Sequence, residues 1–293
     1  MPSKHASETE TKEGPGALLV VSTPIGNLSD ITLRALETLR SVDCIAAEDT
    51  RHTRKLLSRY DIHSPLVSYH SHNATERGPE LIRRIEAGER IALVTDAGTP
   101  GISDPGALLI ERAVALNLDV SVIPGPTALV AALVASGLPP QPFAFLGFPP
   151  PRGATRRRFF ADHAVMAMTL VLYESPRRLQ KTLEAIRDAW GNRRIAVARE
   201  LTKIHEEIFR GTVSEALGRF SEEARGELTL VVGGPDVEVQ PGLDAEATDW
   251  REELKQVLRE GGLSVKDAAD LISRKHGLPR RLVYKEALEV RKA

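Results

Sequence analysis

The residues best suited to chemistry in this chain lie in three loops of similar make. The longest is Thr95-Asp96-Ala97-Gly98-Thr99-Pro100-Gly101-Ile102-Ser103-Asp104-Pro105-Gly106, directly after the apolar run Ile91–Val94. The same pattern recurs at Thr23-Pro24-Ile25-Gly26-Asn27 after Val20-Val21, and at Pro124-Gly125-Pro126-Thr127 after Val122-Ile123. Each loop offers backbone amides and carbonyls and a small hydroxyl at Thr23, Thr99 or Thr127. Such groups suit a ligand carrying amino, carboxylate and hydroxyl functions. Plain turn formation by Gly and Pro accounts for one such loop more easily than for three in the same topological position. Asp96 adds a carboxylate, which either meets an ammonium or ribose hydroxyl or caps a turn within its own loop. No Gly-Lys-Ser/Thr occurs, nor Gly-x-Gly-x-x-Gly after a strand, so ATP hydrolysis and ordinary dinucleotide binding lose support.

The loops need strands before them and helices after them, and the sequence supplies both. Strands are expected at Ala17–Ser22, Asp43–Ala47, Leu66–Tyr69, Ile91–Thr95 and Asp119–Ile123, with helices at Ile31–Arg40, Thr50–Tyr60, Glu76–Ala87 and Pro105–Leu116. Asp30, Thr75 and Asp104 are the expected N-caps of the first, third and fourth helices, with Pro105 at the first helical position. This α/β alternation implies a largely parallel sheet covered on both faces. An apolar helix, Thr127–Ser136, is expected to be buried. Gly137-Leu138-Pro139-Pro140-Gln141-Pro142 then marks a boundary between residues 17–137 and a second α/β domain, 138–235. That second domain offers strands near Phe143–Leu146, Thr169–Leu172, Arg194–Ala198, His205–Arg210 and Leu228–Val232. Its helices are expected at Thr155–Ala161, Pro176–Ala189 and Val213–Phe220. Two neighbouring strands around Lys203 predict a hairpin and hence a mixed sheet. Residues 236–247 read as an acidic linker. Residues 248–293 read as three short helices, the second capped by Ser264, in the manner of a helix-turn-helix module.

Composition sets the outer limits. At 293 residues, 42% hydrophobic and 27% charged, the chain is expected to form a globular protein of about two domains. A net charge of −1 provides no global basic field, so any nucleic-acid surface must be local. The single cysteine, Cys44, excludes an internal disulfide and fits a cytoplasmic setting. No His/Asp/Glu group has clear metal spacing, and no metal is expected. Residues 1–16 read as a disordered polar tail.

The segments Val20–Thr32, Ala47-Glu48-Asp49-Thr50-Arg51, Thr95–Gly106 and Pro124-Gly125-Pro126-Thr127-Ala128 closely resemble the tetrapyrrole-methylase superfamily, the class III S-adenosylmethionine-dependent methyltransferases. Within it they look most like the ribosomal RNA small subunit methyltransferase I branch. The resemblance runs from about Leu18 to Gly234 and, more loosely, through the C-terminal helices. It implies methylation of a cytidine 2′-hydroxyl in the decoding region of small-subunit ribosomal RNA, by a homodimer that holds S-adenosylmethionine folded between two α/β domains. By resemblance the cofactor contacts fall on Pro24, Asp96, Thr99, Thr127 and Ala128, and from the second domain on Tyr173, Glu174, Leu228 and Thr229.

The same resemblance directs attention to the acceptor side. Glu48, Asp49 and His70 become candidates to orient or deprotonate the ribose, and the sequence does not separate them. Arg51, Arg54 and Lys55 are placed to meet RNA phosphate, although Arg51 pairing with Asp49 is an equal alternative. Arg177 and Arg178 open a helix, where a cation is disfavoured unless an anion is near, and so become phosphate candidates. Arg152, Arg156, Arg157 and Arg158 read as a solvated helix face. From residue 274 onward seven Lys/Arg stand against two Glu, and Arg280 and Arg281 are the expected RNA contacts of a basic docking appendage. A tetrapyrrole or protein acceptor on the same scaffold, or a non-catalytic ribosome-assembly factor, are the alternatives. The basic appendage and the clustered arginines argue against a small macrocyclic acceptor, while the assembly-factor alternative predicts binding without turnover.

Overall fold

A computed structural model describes residues 15–221, 226–235, 247–259, 263–276 and 280–290. Residues 1–14 of the predicted N-terminal tail, all but the last residue of the acidic linker, and the turns at Gly261-Gly262 and Gly277-Leu278-Pro279 lie outside the described residues. The chain divides into two compact units, Met1–Pro235 and Asp236–Ala293.

The first unit holds two five-stranded sheets. Strands β1 (Ala17–Val21), β2 (Cys44–Ala47), β3 (Leu66–Ser68), β4 (Arg90–Val94) and β5 (Asp119–Ile123) form an all-parallel sheet in the order β3-β2-β4-β1-β5. Alternate residues explain its two covered faces. Leu19, Val21, Ile45, Ala47, Ala92 and Val94 meet α1 (Leu33–Ser41) and α2 (Thr50–Arg59) through Leu36, Leu39, Leu56 and Leu57. Leu18, Val20, Cys44, Ala46, Ile91 and Leu93 meet α3 (Ala74–Glu86) and α4 (Ala107–Ala115) through Leu81, Ile85, Leu109 and Ala113. This period-two division is what a doubly covered sheet requires. The chain therefore leaves β1 towards one face and the neighbouring β4 towards the other. A crevice opens between two such diverging strand ends, and this is where open α/β sheets place ligands.

The second sheet is mixed, in the order β6-β7-β10-β8-β9, from β6 (Phe143–Phe145), β7 (Thr169–Glu174), β8 (Arg194–Arg199), β9 (Glu207–Thr212) and β10 (Leu228–Val232). β6 and β7 are parallel, and β8 and β9 form the antiparallel hairpin read from the sequence. One face is covered by α6 (Gly153–His163), α7 (Leu179–Trp190) and α8 (Val213–Arg219), with Phe160 and Trp190 stacked edge-on at 5.0 Å. The Trp190 indole N–H donates to the Phe160 carbonyl at 2.7 Å. The other face receives α5 (Ala128–Ser136) through Ala132 and Leu133, although the sequence boundary falls after that helix.

Several local expectations change. The first helix is capped by Thr32, whose hydroxyl accepts from the Ala35 N–H, while Asp30 closes a short 3-10 turn. Asn73, rather than Thr75, precedes α3, and Gly106, at φ +135°, takes the N-cap position of α4 instead of Asp104. A side chain at that φ is strained, so glycine is required there. α5 buries one face only, since Val134 is 73% exposed. Arg156 is buried, not solvated, and donates to the Pro150 and Pro151 carbonyls.

The second unit contains α9 (Ala247–Arg259), α10 (Val265–His276) and α11 (Arg280–Val290), packed around Trp250, Leu254, Ile272 and Val283. Ser264 caps α10, its hydroxyl accepting from the Asp267 N–H. Among the described residues no helix is long and apolar enough to cross a membrane. Phe160→Ala empties the centre of the second-sheet core and should cost about 3–5 kcal/mol, read by urea unfolding followed through Trp190 fluorescence.

Candidate active site

The first two loops are locked together where β1 and β4 diverge. The Thr23 N–H donates to the Gly98 carbonyl at 2.9 Å, and the Gly98 N–H donates back to the Thr23 carbonyl at 3.1 Å. The Thr23 hydroxyl donates to the Thr95 carbonyl at 3.0 Å, and the Ser22 and Thr99 hydroxyls lie 2.8 Å apart. The first loop also touches the turn between β8 and β9. The Asn27 N–H donates to the Thr202 hydroxyl at 3.0 Å. A Cβ on Gly26 would lie 2.6 Å from Lys203 Cγ and 2.7 Å from the Leu201 carbonyl oxygen, so only glycine permits this approach.

Two cavities open around this junction. The first, of about 320 Å³, is lined by Thr99, Asp104, Thr127, Ala128, Tyr173, Glu174, Leu228 and Thr229, with apolar walls from Ile25, Ile102, Phe148 and Leu201. The second, of about 360 Å³, is lined by Thr23, Pro24, Asp96, His52, Lys55 and Lys203. Ile25, Ala97 and Glu227 belong to both.

Of the residues assigned to the cofactor by resemblance, Thr99, Thr127, Ala128, Tyr173, Glu174, Leu228 and Thr229 line the first cavity. Pro24 and Asp96 line the second. Asp96 ties strand ends together, since its carboxylate accepts from the Asp49 N–H at 3.2 Å. The Tyr173 hydroxyl accepts from the Leu129 N–H at 3.2 Å. Burial raises that phenol above its usual range, against the pull of hydrogen bonds to Thr127 and Leu129.

Three carboxylates line the first cavity, in different states. Glu174 is buried and engaged by Arg178, by the Thr182 hydroxyl and by the Ser175 N–H. Glu227 pairs with Lys203 at 2.9 Å, which also holds Glu200 at 2.8 Å. Asp104 has no such cation. Burial, together with the charges of Glu48, Asp96 and Glu227, pushes its carboxyl up to about 7.

The base candidates separate. Asp49 caps α2 and forms an ion pair with Arg51 at 3.1 Å. Those bonds hold its carboxyl down at about 2, well below the range of a useful base. Glu48 is half-buried and accepts from the Asp96 N–H at 3.4 Å. Burial pushes its carboxyl up; the Asp96 N–H pulls it back, and the Asp96 charge adds to the rise. The His70 N–H donates to Asn73 Oδ1 at 2.8 Å, and His70 Nδ1 is buried without a hydrogen-bond partner among the described residues.

The basic residues also divide. Arg54 and Lys55 are exposed, and Arg177 is exposed while engaged in an interaction of its own. Arg51 is exposed too, but its guanidinium is bonded to Asp49, the alternative reading of the sequence. Arg178, expected to meet phosphate, is paired in the structure with Glu174 and donates to the Pro149 carbonyl. Glu174 is the anion that makes an arginine tolerable at that helix start. Arg280 and Arg281 open α11, and their side chains lie outside the described residues.

Sequence reasoning passed over Asp104, Glu227 and Lys203 as site residues. A Ser-Asp-Pro-Gly run satisfies the rules for a helix cap, which concealed the place of Asp104 in the cavity wall. Its folded carboxyl stands at about 7 against an ordinary 3.8, so the stability linked to its proton is full below that lower value and lost as pH rises through 7. Asp104→Asn stays neutral throughout. The variant should match the wild type near pH 4 and melt a few degrees higher near pH 8, as thermal unfolding at the two pH values will show.

The architecture agrees with comparisons to known proteins. The family model for tetrapyrrole (corrin/porphyrin) methylases matches residues 17–217, and that for the RsmI C-terminal HTH domain matches residues 244–291. A ribosomal RNA small subunit methyltransferase I from Synechocystis sp. is 45% identical over 277 residues, covering 94% of this chain and 98% of that protein. The protein of the same name from Bacillus subtilis is 43% identical, covering 93% and 94%. Among solved structures, the methyltransferase CobJ shares the fold at TM-score 0.59 and 19% identity, covering 75% of this chain and 94% of that one. Diphthine synthase shares it at TM-score 0.58 and 13% identity, covering 74% and 89%. The chain belongs to the tetrapyrrole (corrin/porphyrin) methylase family, in its ribosomal RNA small subunit methyltransferase I branch.

Proposed function

We propose that this protein methylates small-subunit ribosomal RNA in the cytoplasm, at the ribose 2′-hydroxyl of a cytidine in the decoding region. The observation that carries the reading is the pair of adjoining cavities sharing Ile25, Ala97 and Glu227, one suited to a methyl donor and the other open to an acceptor. The enzyme is S-adenosylmethionine-dependent, like its family. The first cavity fits that group chemically: apolar walls for a purine, hydroxyls at Thr99 and Thr127, and an unneutralised carboxylate for positive charge. When bound, S-adenosylmethionine supplies an electrophilic methyl group on a positively charged sulfur.

The protein's task is then placement and proton removal. Ile25 and Ala97 form the wall across which donor and acceptor face each other, which turns a bimolecular encounter into an oriented one. Glu48 is the base assigned here. Its raised carboxyl and its position behind Asp96, at the end of β2, suit removal of the 2′-proton. His70 steadies the charge on Glu48, and Asp49 organises α2 rather than taking a proton. Arg54, Lys55 and Arg177 supply exposed positive charge for phosphate, with Arg51 retained on the surface beside Asp49. The basic C-terminal helices, including Arg280 and Arg281, serve as the RNA-docking unit, and an assembled subunit is the substrate. The exposed valines Val122, Val130 and Val134 support a homodimer.

With radiolabelled S-adenosylmethionine and small ribosomal subunits lacking the modification, label should enter rRNA and map to a cytidine ribose. Label in protein or in no acceptor would refute the reading. Glu48→Gln should lower kcat about a hundredfold with cofactor affinity nearly unchanged, as single-turnover rates and calorimetry will show. Removing residues 236–293 should weaken RNA binding much more than cofactor binding. Equal loss of both in filter-binding and calorimetric titrations would assign that unit a structural role instead.

A further inference from the structure

Asp104 has a place in the first cavity that the helix-cap reading does not use, and which positive charge it would meet is still unassigned. α4 starts behind Gly106, so the Asp104 side chain is free of any capping duty. Its surroundings are hostile to a negative charge. Glu48 at the end of β2, Asp96 after β4 and Glu227 ahead of β10 all face it with like charge, Tyr173 on β7 is a further titratable neighbour, and Glu174 lines the same cavity. No described residue donates a hydrogen bond to it. The other two carboxylates of the cavity are neutralised, Glu174 by Arg178 and Glu227 by Lys203. A half-buried carboxylate among like charges is unfavourable until a cation joins it.

We propose that Asp104 receives the α-ammonium at the methionyl end of S-adenosylmethionine. This rests on the reading that the first cavity holds that cofactor. The choice of ammonium over sulfonium follows from donor chemistry. Asp104 presents unoccupied acceptor lone pairs, an ammonium brings three N–H donors, and a sulfonium brings none. Because the ionised carboxylate is the binding form, complex formation expels a proton below neutral pH, and affinity rises with pH until Asp104 is ionised in the free enzyme.

The test is calorimetric titration of the full-length wild type and Asp104→Asn with S-adenosylmethionine and with S-adenosylhomocysteine, at pH 6 and 7.5. S-adenosylhomocysteine keeps the ammonium and lacks the sulfonium charge. The wild type should gain about eightfold in affinity for both ligands between the two pH values, as expected for one group titrating near 7. Asp104→Asn should bind both about tenfold or more weakly at pH 7.5 and lose the pH dependence. Unchanged affinity for both ligands overturns the proposal, and so does a loss confined to S-adenosylmethionine, which would assign Asp104 to the sulfur. A wild type that binds neither ligand overturns the cofactor reading on which the proposal rests. The ligand-free variant should melt no lower than the wild type; a marked drop would show a structural partner for Asp104 and contradict the assignment.

Discussion

The paired backbone exchange between Thr23 and Gly98 is the constraint on which the site depends. β1 and β4 are neighbours in the sheet, yet the chain leaves them towards opposite faces, so their following loops would part without a link. The two reciprocal hydrogen bonds, reinforced by the Thr23 hydroxyl and the Ser22–Thr99 contact, hold them at a fixed separation. Gly26 then lets the first loop settle on the turn between β8 and β9. One junction thus sets the edge of the sheet crevice and the approach of the second sheet, and both cavities form around it.

Electrostatics gives the two cavities their chemical character. The first cavity and its rim gather acids from both sheets, and the fold neutralises some of them with dedicated cations. Arg178 and Lys203 do this work from the second sheet side. Asp49 is pinned by its own helix and Arg51. Glu48 and Asp104 remain, both with raised carboxyls. One suits a proton and the other a cation. On the proposed reading, that contrast separates acceptor chemistry from donor binding within a single acidic neighbourhood.

Much of this was legible in the residues. Alternating apolar runs define the parallel sheet to within a residue or two, because doubly buried strands tolerate little else. Gly- and Pro-rich sequence after β1, β4 and β5 marks the loops that line the cavities. Helix starts are less legible. Asp30, Thr75 and Asp104 all have capping side chains, but Thr32, Asn73 and Gly106 take the positions, since several cap-type residues crowd each start and residue type alone does not say which one begins the helix. The uniform apolarity of Thr127–Ser136 hides an asymmetry, with Ala132 and Leu133 against the second sheet and Val134 exposed. Partners distant in sequence are illegible without the fold. Nothing near Arg156 announces the prolyl carbonyls it satisfies, and the partnering of Lys203 with Glu227 spans 24 residues.

The central claim is that the locked loops hold the methyl donor while the acceptor chemistry lies across the Ile25–Ala97 wall. Hydrogen–deuterium exchange of the full-length protein, with and without S-adenosylmethionine, tests it most directly. Protection is expected at residues 97–104, 127–129 and 226–229, with α2 and the C-terminal helices unchanged. Protection centred on residues 51–56, or none in the three cavity segments despite measured binding, would contradict the account.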